Sequence, residues 1–164
     1  MYELTIPVII DNLNTLTKIL KKAEGQIEAK KFDKAVVLGW RIYPDMLNLA
    51  RQIQIVTDNA KGCGARLSGT ANPSFADEEK TFDDLYARIA KTVDYLKSLD
   101  AKLFETAATR EVTLKVGGKD VVMSGQKYFT SAFLPNFFFH MTTAYNILRG
   151  IGIELGKGDF LGRG

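Results

Sequence analysis

Residues 128–152 read Tyr-Phe-Thr-Ser-Ala-Phe-Leu-Pro-Asn-Phe-Phe-Phe-His-Met-Thr-Thr-Ala-Tyr-Asn-Ile-Leu-Arg-Gly-Ile-Gly and hold the chain's only histidine and its densest aromatic run. On a helix, residues three or four apart share a face. Phe129, Phe133, Phe137, Met141, Ala144, Leu148 and Ile151 then make one apolar row. The row one residue earlier, about 100° round the axis, carries Ala132, Asn136, His140, Thr143 and Ile147. A histidine and an amide one turn apart therefore flank a core-facing stripe. With Phe137, Phe138 and Phe139 consecutive, this helix is apolar nearly all round, which fits a central helix or a subunit interface better than a one-faced surface helix. Pro135 removes a backbone hydrogen bond and disfavours helical geometry at Leu134, so a kink or restart is expected just before Asn136.

Three further helical patterns precede it. Ile6, Ile9, Ile10, Leu13, Leu16, Leu20, Ala23 and Ile27 recur at spacings of three and four, specifying an amphipathic helix of about six turns. Thr5 is its expected cap, and Pro7 is expected in its first turn. After a turn or short helix around Asp33 to Trp40, a second long helix is expected from near Pro44 to about Lys61, because proline fits a first turn. Its inward stripe is Met46, Leu49, Ile53, Val56 and Ala60, with Asp45 and Gln52 intruding on the row of Leu49 and Val56. A buried amide without a partner costs about 1 to 3 kcal/mol, so Gln52 needs one. Gly62 to Ser74, with three glycines, Cys63, Asn72 and Pro73, reads as a loop. Thr81 and Asp84 then form an approximate capping box for a third helix with the stripe Phe82, Leu85, Ile89, Val93 and Leu96, ending near Ala101. Its charged face of Asp83, Arg88, Lys91, Asp94 and Lys97 is expected to meet solvent.

Between that helix and the last, Val112, Leu114 and Val116 alternate with polar residues, and Val121 and Met123 follow Gly117-Gly118. This is the pattern of a β-hairpin with a two-residue turn, and its apolar face is expected on the helices because an isolated hairpin is marginal in water. Ser124 or Gly125 opens the final helix. The glycine-rich tail fails as a phosphate loop, since Ile151 stands where a glycine would be needed before Gly156-Lys157 and the stretch follows a helix. It reads as a C-cap and surface tail. The fold class expected is therefore all-α, a four-helix up-down bundle with a small β-hairpin between helices 3 and 4, in a single domain over residues 1–164.

Composition bounds the function. At 164 residues, 46% hydrophobic and 25% charged, the chain can bury a sizeable core. The start has no basic region ahead of its apolar residues, and no apolar run approaches the roughly 20 residues that cross a bilayer. A cytoplasmic protein with no membrane association is expected. Cys63 is alone, which excludes an intrachain disulfide. The net charge of +3 does not imply nucleic acid: Lys18, Lys21, Lys22, Lys30 and Lys31 look like a solvated helix face and not a phosphate track with interleaved aromatics.

The run His140-Met-Thr-Thr-Ala-Tyr-Asn-Ile-Leu148-Arg149-Gly-Ile-Gly152 resembles the last helix of the DinB/YfiT-like superfamily, in which a histidine is followed nine residues later by arginine and twelve later by glycine. The phrases Tyr43-Pro-Asp-Met46, Leu134-Pro-Asn-Phe137 and Gly156-Lys-Gly-Asp-Phe-Leu-Gly162 resemble more specifically an uncharacterised branch of it. The resemblance implies a divalent metal held by three histidines and, in several members, thiol-dependent transfer or hydrolysis. Carried over, His140 matches the second histidine of a His-x3-His pair. Asn136 takes the place of the first, and Gln52 is the counterpart on helix two, with Asp45 the alternative. Amide oxygens are weak ligands for zinc or nickel.

Three readings follow. The first is a small-molecule binding bundle whose pocket is lined by Asp45, Gln52, Asn136, His140 and Tyr145, with a hollow expected beside His140 and the histidine as the catalytic candidate if there is a reaction. The second is an enzyme using zinc, nickel or manganese at His140, Asn136 and Gln52. The third is a stress-response scaffold, a homodimer joined through the aromatic stripe of the last helix or the hairpin.

Overall fold

The computed structural model describes residues 1–163, and Gly164 lies outside them. The first helix, α1 (Tyr2–Ala29), starts earlier than the apolar repeat suggests. Thr5 is not its cap: the hydroxyl bonds back to Met1 O and Tyr2 O at 3.0 and 3.1 Å inside the first turn. Pro7 consequently lies inside the helix and not at its opening. A short α2 (Lys34–Gly39) follows, capped by Asp33, whose carboxylate accepts from Ala35 N at 2.8 Å.

The second long helix, α3 (Leu49–Ser68), is displaced by most of two turns from the expected Pro44–Lys61. Asn48 caps it through Arg51 N at 3.0 Å, and the preceding loop is closed by Leu49 N donating to Trp40 O at 2.9 Å. Pro44 is thus in a turn, and Asp45 and Met46 precede the helix instead of lying on its rows. At the other end, Gly62, Cys63 and Gly64 are buried within the helix and not in a loop. Packing explains this. A Cβ on Gly64 would stand 2.7 Å from Leu96 Cδ2 and 2.8 Å from Leu99 Cδ1, so this glycine allows a close helix approach that offsets its poor propensity of about 1 kcal/mol. The helix stops at Gly69, whose φ of 74° is left-handed.

The third long helix, α4 (Phe82–Lys97), opens with the full Thr81/Asp84 capping box and ends at Ser98, short of Ala101. Arg88 on its supposedly solvated face is buried. After a 3₁₀ turn at Ala101–Phe104, strands β1 (Glu111–Val116) and β2 (Lys119–Ser124) pair antiparallel, with Leu114 opposite Val121 and Val112 opposite Met123. Gly117 and Gly118 both take positive φ, 57° and 81°, as the two-residue turn requires. Only the base of the hairpin docks: Val112 is buried, whereas Val116 and Val122 are exposed.

The last helix is built in pieces. Ser124 caps a single turn, α5 (Gly125–Lys127), a π-helical stretch spans Tyr128–Phe133, and α6 (Leu134–Gly150) restarts with Pro135 in its first turn. The interruption expected at Pro135 takes this wider π form just ahead of the proline, where the regular ladder of hydrogen bonds is broken. Its apolar row from Phe129 to Leu148 is buried with the stripes of α1, α3 and α4 in one core. α3 lies between α4 and α6 in contact, and α1 packs on all three. The tail is no loose surface segment. Ile153 and Leu155 are buried, and a final turn, α7 (Lys157–Phe160), is tied to α1 by Lys22–Asp159 at 2.7 Å and by Gln26, whose amide exchanges two hydrogen bonds with the backbone of Glu154. The chain is thus mainly helical with one small hairpin, and none of the described helices is long and apolar enough to cross a membrane.

Candidate functional site

The α3–α6 contact is apolar along its centre and polar along one margin. His140 Nδ1 lies 2.6 Å from Gln52 Oε1, although the two are far apart in sequence. Gln52 is almost wholly buried, and its Nε2 donates to Leu47 O at 3.0 Å. That second bond decides the orientation of the amide, because only its nitrogen can donate to a carbonyl. Gln52 therefore presents its oxygen to the imidazole, so Nδ1 must carry the proton and Nε2 must carry the lone pair. Half-burial lowers the His140 pKa below its ordinary value, since desolvation penalises the imidazolium. At neutral pH the ring is a neutral base with a fixed tautomer, and Phe139 packs edge-on against it.

One turn earlier on α6, Asn136 Nδ2 donates to Asn59 Oδ1 at 2.9 Å. Asn59 is itself oriented by its Nδ2 bond to Ile55 O. A third link joins Arg66 to the ring and hydroxyl of Tyr128. Gln52, Asn59 and Arg66 are spaced by seven residues on α3, and their partners run backwards along the last helix, so the two helices have opposite senses here. Asn136 belongs to this seam but bonds Asn59 and not the His140–Gln52 pair. Tyr145 points elsewhere, its hydroxyl 3.5 Å from Leu155 O and its ring against Phe160. Asp45 is exposed ahead of α3. Of the residues expected to converge, the structure joins His140 directly to Gln52 only. Hollows open elsewhere, one of about 540 Å³ between Phe32, Trp40 and Ile151 and one of about 410 Å³ beside Phe75 and Lys91.

A second polar constellation escaped the sequence reading. All five N–H donors of Arg88 are used: Nε to Thr57 Oγ1 at 2.7 Å, one terminal nitrogen to Ala76 O and Glu79 Oε1 at 2.8 and 2.9 Å, the other to Asp58 and Asp77 at 2.8 and 3.0 Å. Gln54 donates to Glu79 at 2.6 Å, and Arg51 bonds both Gln54 and Asp77. Burial would raise the Glu79 pKa, but the bonds from Arg88 and Gln54 outweigh it and the net shift is downward. Asp77 is lowered first by its bond to Arg51. With no donor left for a ligand, Arg88 acts as a clamp holding the segment 70–81 on α3 and α4. The sequence signal was its place three residues beyond Leu85 and four before the inward Thr92, at the margin of the buried stripe.

A protein-family model described as Domain of unknown function (DUF1993) matches residues 1–161. The chain belongs to the DUF1993 family. Its sequence and fold are also similar to the crystal structure of a DinB family member protein from Shewanella denitrificans, with 39% identity, 98% of this chain and 90% of that chain covered, and a TM-score of 0.89. No curated protein shows significant similarity. The DinB likeness makes a metal worth testing against the donors present in this DUF1993 chain. They do not fit the three-histidine set: one imidazole is available, the oxygen of Gln52 is taken by Nδ1 of that imidazole, and Asn136 is turned to Asn59. No group of three His, Cys, Asp or Glu side chains among the described residues is arranged to hold an ion, and lone amide oxygens suit zinc and nickel poorly.

Proposed function

We propose that this DUF1993 chain is a single-domain, up-and-down four-helix bundle of the DinB-like kind that binds a small molecule at the α3–α6 seam, with His140 Nε2 as the group that meets it. The observation that carries this reading is the chain Leu47 O, Gln52 amide, His140 Nδ1. A buried glutamine spends both ends of its amide on holding one imidazole tautomer. Such support is what a positioned acceptor or general base requires. The ligand class is a neutral or weakly acidic molecule offering an O–H, N–H or S–H to Nε2, with an apolar part for Phe139 and Leu47, both partly open to solvent. The hollow expected beside His140 is not found, since neither His140 nor Gln52 lines any of the hollows described, so the ligand would sit on the seam without enclosure and bind weakly.

Because His140 is the only histidine, its imidazole nitrogens can be observed without ambiguity by nitrogen NMR. The expected spectrum has a protonated Nδ1 and an unprotonated Nε2 near neutral pH, and proton-donor fragments that bind should move the Nε2 resonance first. A protonated Nε2, or a fragment library that perturbs other residues while leaving this nitrogen unmoved, would refute the reading.

A further inference from the structure

Six of the large apolar side chains most open to solvent come from one short stretch: Phe32, Val36, Trp40, Ile42, Tyr43 and Leu47, between 41% and 65% exposed. The stretch is held in place. Lys34 anchors α2 to Glu24 and Glu28 at 2.6 Å each, Leu49 N closes the following loop onto Trp40 O, and Met46 N bonds Tyr43 O at 3.0 Å. These side chains are displayed by ordered backbone.

All but Leu47 are joined into one surface through Trp40. Trp40 stands between two hollows, one of about 540 Å³ shared with Phe32, Val36 and Ile151 and one of about 300 Å³ shared with Ile42 and Tyr43. Those side chains at these exposures leave several hundred Å² of apolar surface, at the upper end of what monomers expose. That approaches the roughly 800 Å² that each partner contributes to a standard interface. The charges beside it are self-complementary: Arg41 and Asp45 are exposed and take part in no ion pair among the described residues. A two-fold axis makes residue i of one copy meet residue j of the other, and j meet i. By contrast, the Phe129, Phe133 and Phe137 row of the last helix is consumed by the chain's own core.

We propose that a second copy of this chain covers the Trp40 face through a two-fold interface, each Trp40 seating beside the hollow of the other copy and Arg41 of one copy pairing with Asp45 of the other. Leu47 borders the proposed His140 site as well, but the Trp40, Arg41 and Asp45 contacts that carry the inference do not depend on that site.

The full chain tests it directly. Sedimentation equilibrium should show a dimer that dissociates on dilution. Emission from Trp40, the only tryptophan, should shift to the blue as the dimer forms. Arg41→Asp and Asp45→Arg, both at exposed positions, should each weaken the dimer about tenfold or more by placing like charges opposite one another. An equimolar mixture of the two variants should form a heterodimer, and the double variant should recover the homodimer; circular dichroism confirms that each variant is folded. A monomer at every concentration, a dimer whose Trp40 emission does not respond to association, or charge reversals that neither weaken the dimer nor rescue one another would overturn the proposal.

Discussion

Replacing Arg88 by methionine keeps much of the side-chain volume and removes all five of its donors. What remains is a largely buried Glu79 with Asp58 and Asp77, which are partly open to solvent and screened by it, and the oxygens of Thr57 and Ala76 unpaired toward the vacated site. Breaking a buried pair by deleting one partner costs about 3 to 5 kcal/mol. Lys61 stays 3.2 Å from Asp58 and Arg51 stays on Asp77, so the loss is expected toward the lower end. In a chain of this length each kcal/mol lowers the midpoint by roughly 2 to 4 °C, giving an expected fall of about 6 to 12 °C by calorimetry. Hydrogen exchange should rise in residues 70–81 well before the helices respond, since Ala76, Asp77 and Glu79 are the points that hold that segment. The pH dependence has a definite sign. Asp77 and Glu79 have folded pKa values below the ordinary ones, so their stabilisation is complete above the unfolded carboxylate range, about 3.9 to 4.3, and is lost as pH falls through the folded values. The gap between wild type and Arg88→Met should therefore be widest near neutrality and narrow below about pH 4. A midpoint fall under about 2 °C, with unchanged exchange at 70–81, would refute the clamp.

Other outcomes are expected from the same geometry. Gln52→Glu should raise the His140 pKa, now lowered by burial, because a carboxylate at Nδ1 favours the imidazolium; a proton NMR titration of the single imidazole measures it, and an unchanged or lower midpoint would refute it. Gly25→Ala should stabilise the protein by about 0.5 to 1 kcal/mol, since a Cβ there meets nothing within 4 Å. Gly64→Val, whose Cβ would press on Leu96 and Leu99, should destabilise it by about 1 to 3 kcal/mol; chemical denaturation distinguishes the two. Zinc, nickel or manganese at stoichiometric concentration should leave the midpoint unchanged within about 1 °C, because the donor set at His140 offers one imidazole.

The rows of apolar residues were legible in the sequence because burial enforces helical periodicity, and the stripes entered the core apart from Met46, which lies ahead of α3. The boundaries of α3 were not. Pro44 resembled a helix start and Gly62-Cys63-Gly64 a loop, because local propensity cannot register that Leu96 and Leu99 will occupy the space a side chain would need. That Gln52 needs a partner was legible, since a buried amide cannot go unpaired; that the partner is Nδ1 of His140 was suggested only by the family resemblance. Asp45 shares the row of Gln52 only if the helix begins at Pro44, and in the structure it precedes Asn48, the true cap. Arg88 was read as solvent-facing because a cation at the edge of a stripe is normally hydrated; its three carboxylates come from two other segments and leave no local trace.

The two polar systems on α3 also differ in what they leave free, and that difference decides which one can act on a ligand. Around Arg88 every donor is matched within the chain, so binding there would first require an ion pair to be broken. At His140 the supporting bonds terminate on Nδ1, and Nε2 has no hydrogen-bond partner among the described residues. A residue whose neighbours fix its orientation while leaving its reactive atom unused keeps that atom available to a ligand's proton. The same helix thus carries a closed network facing α4, which holds the 70–81 segment, and an open one facing α6. Mutations in the first should be read out in stability and mutations in the second in the titration of a single imidazole, and a substitution that moved both together would show that α3 couples them.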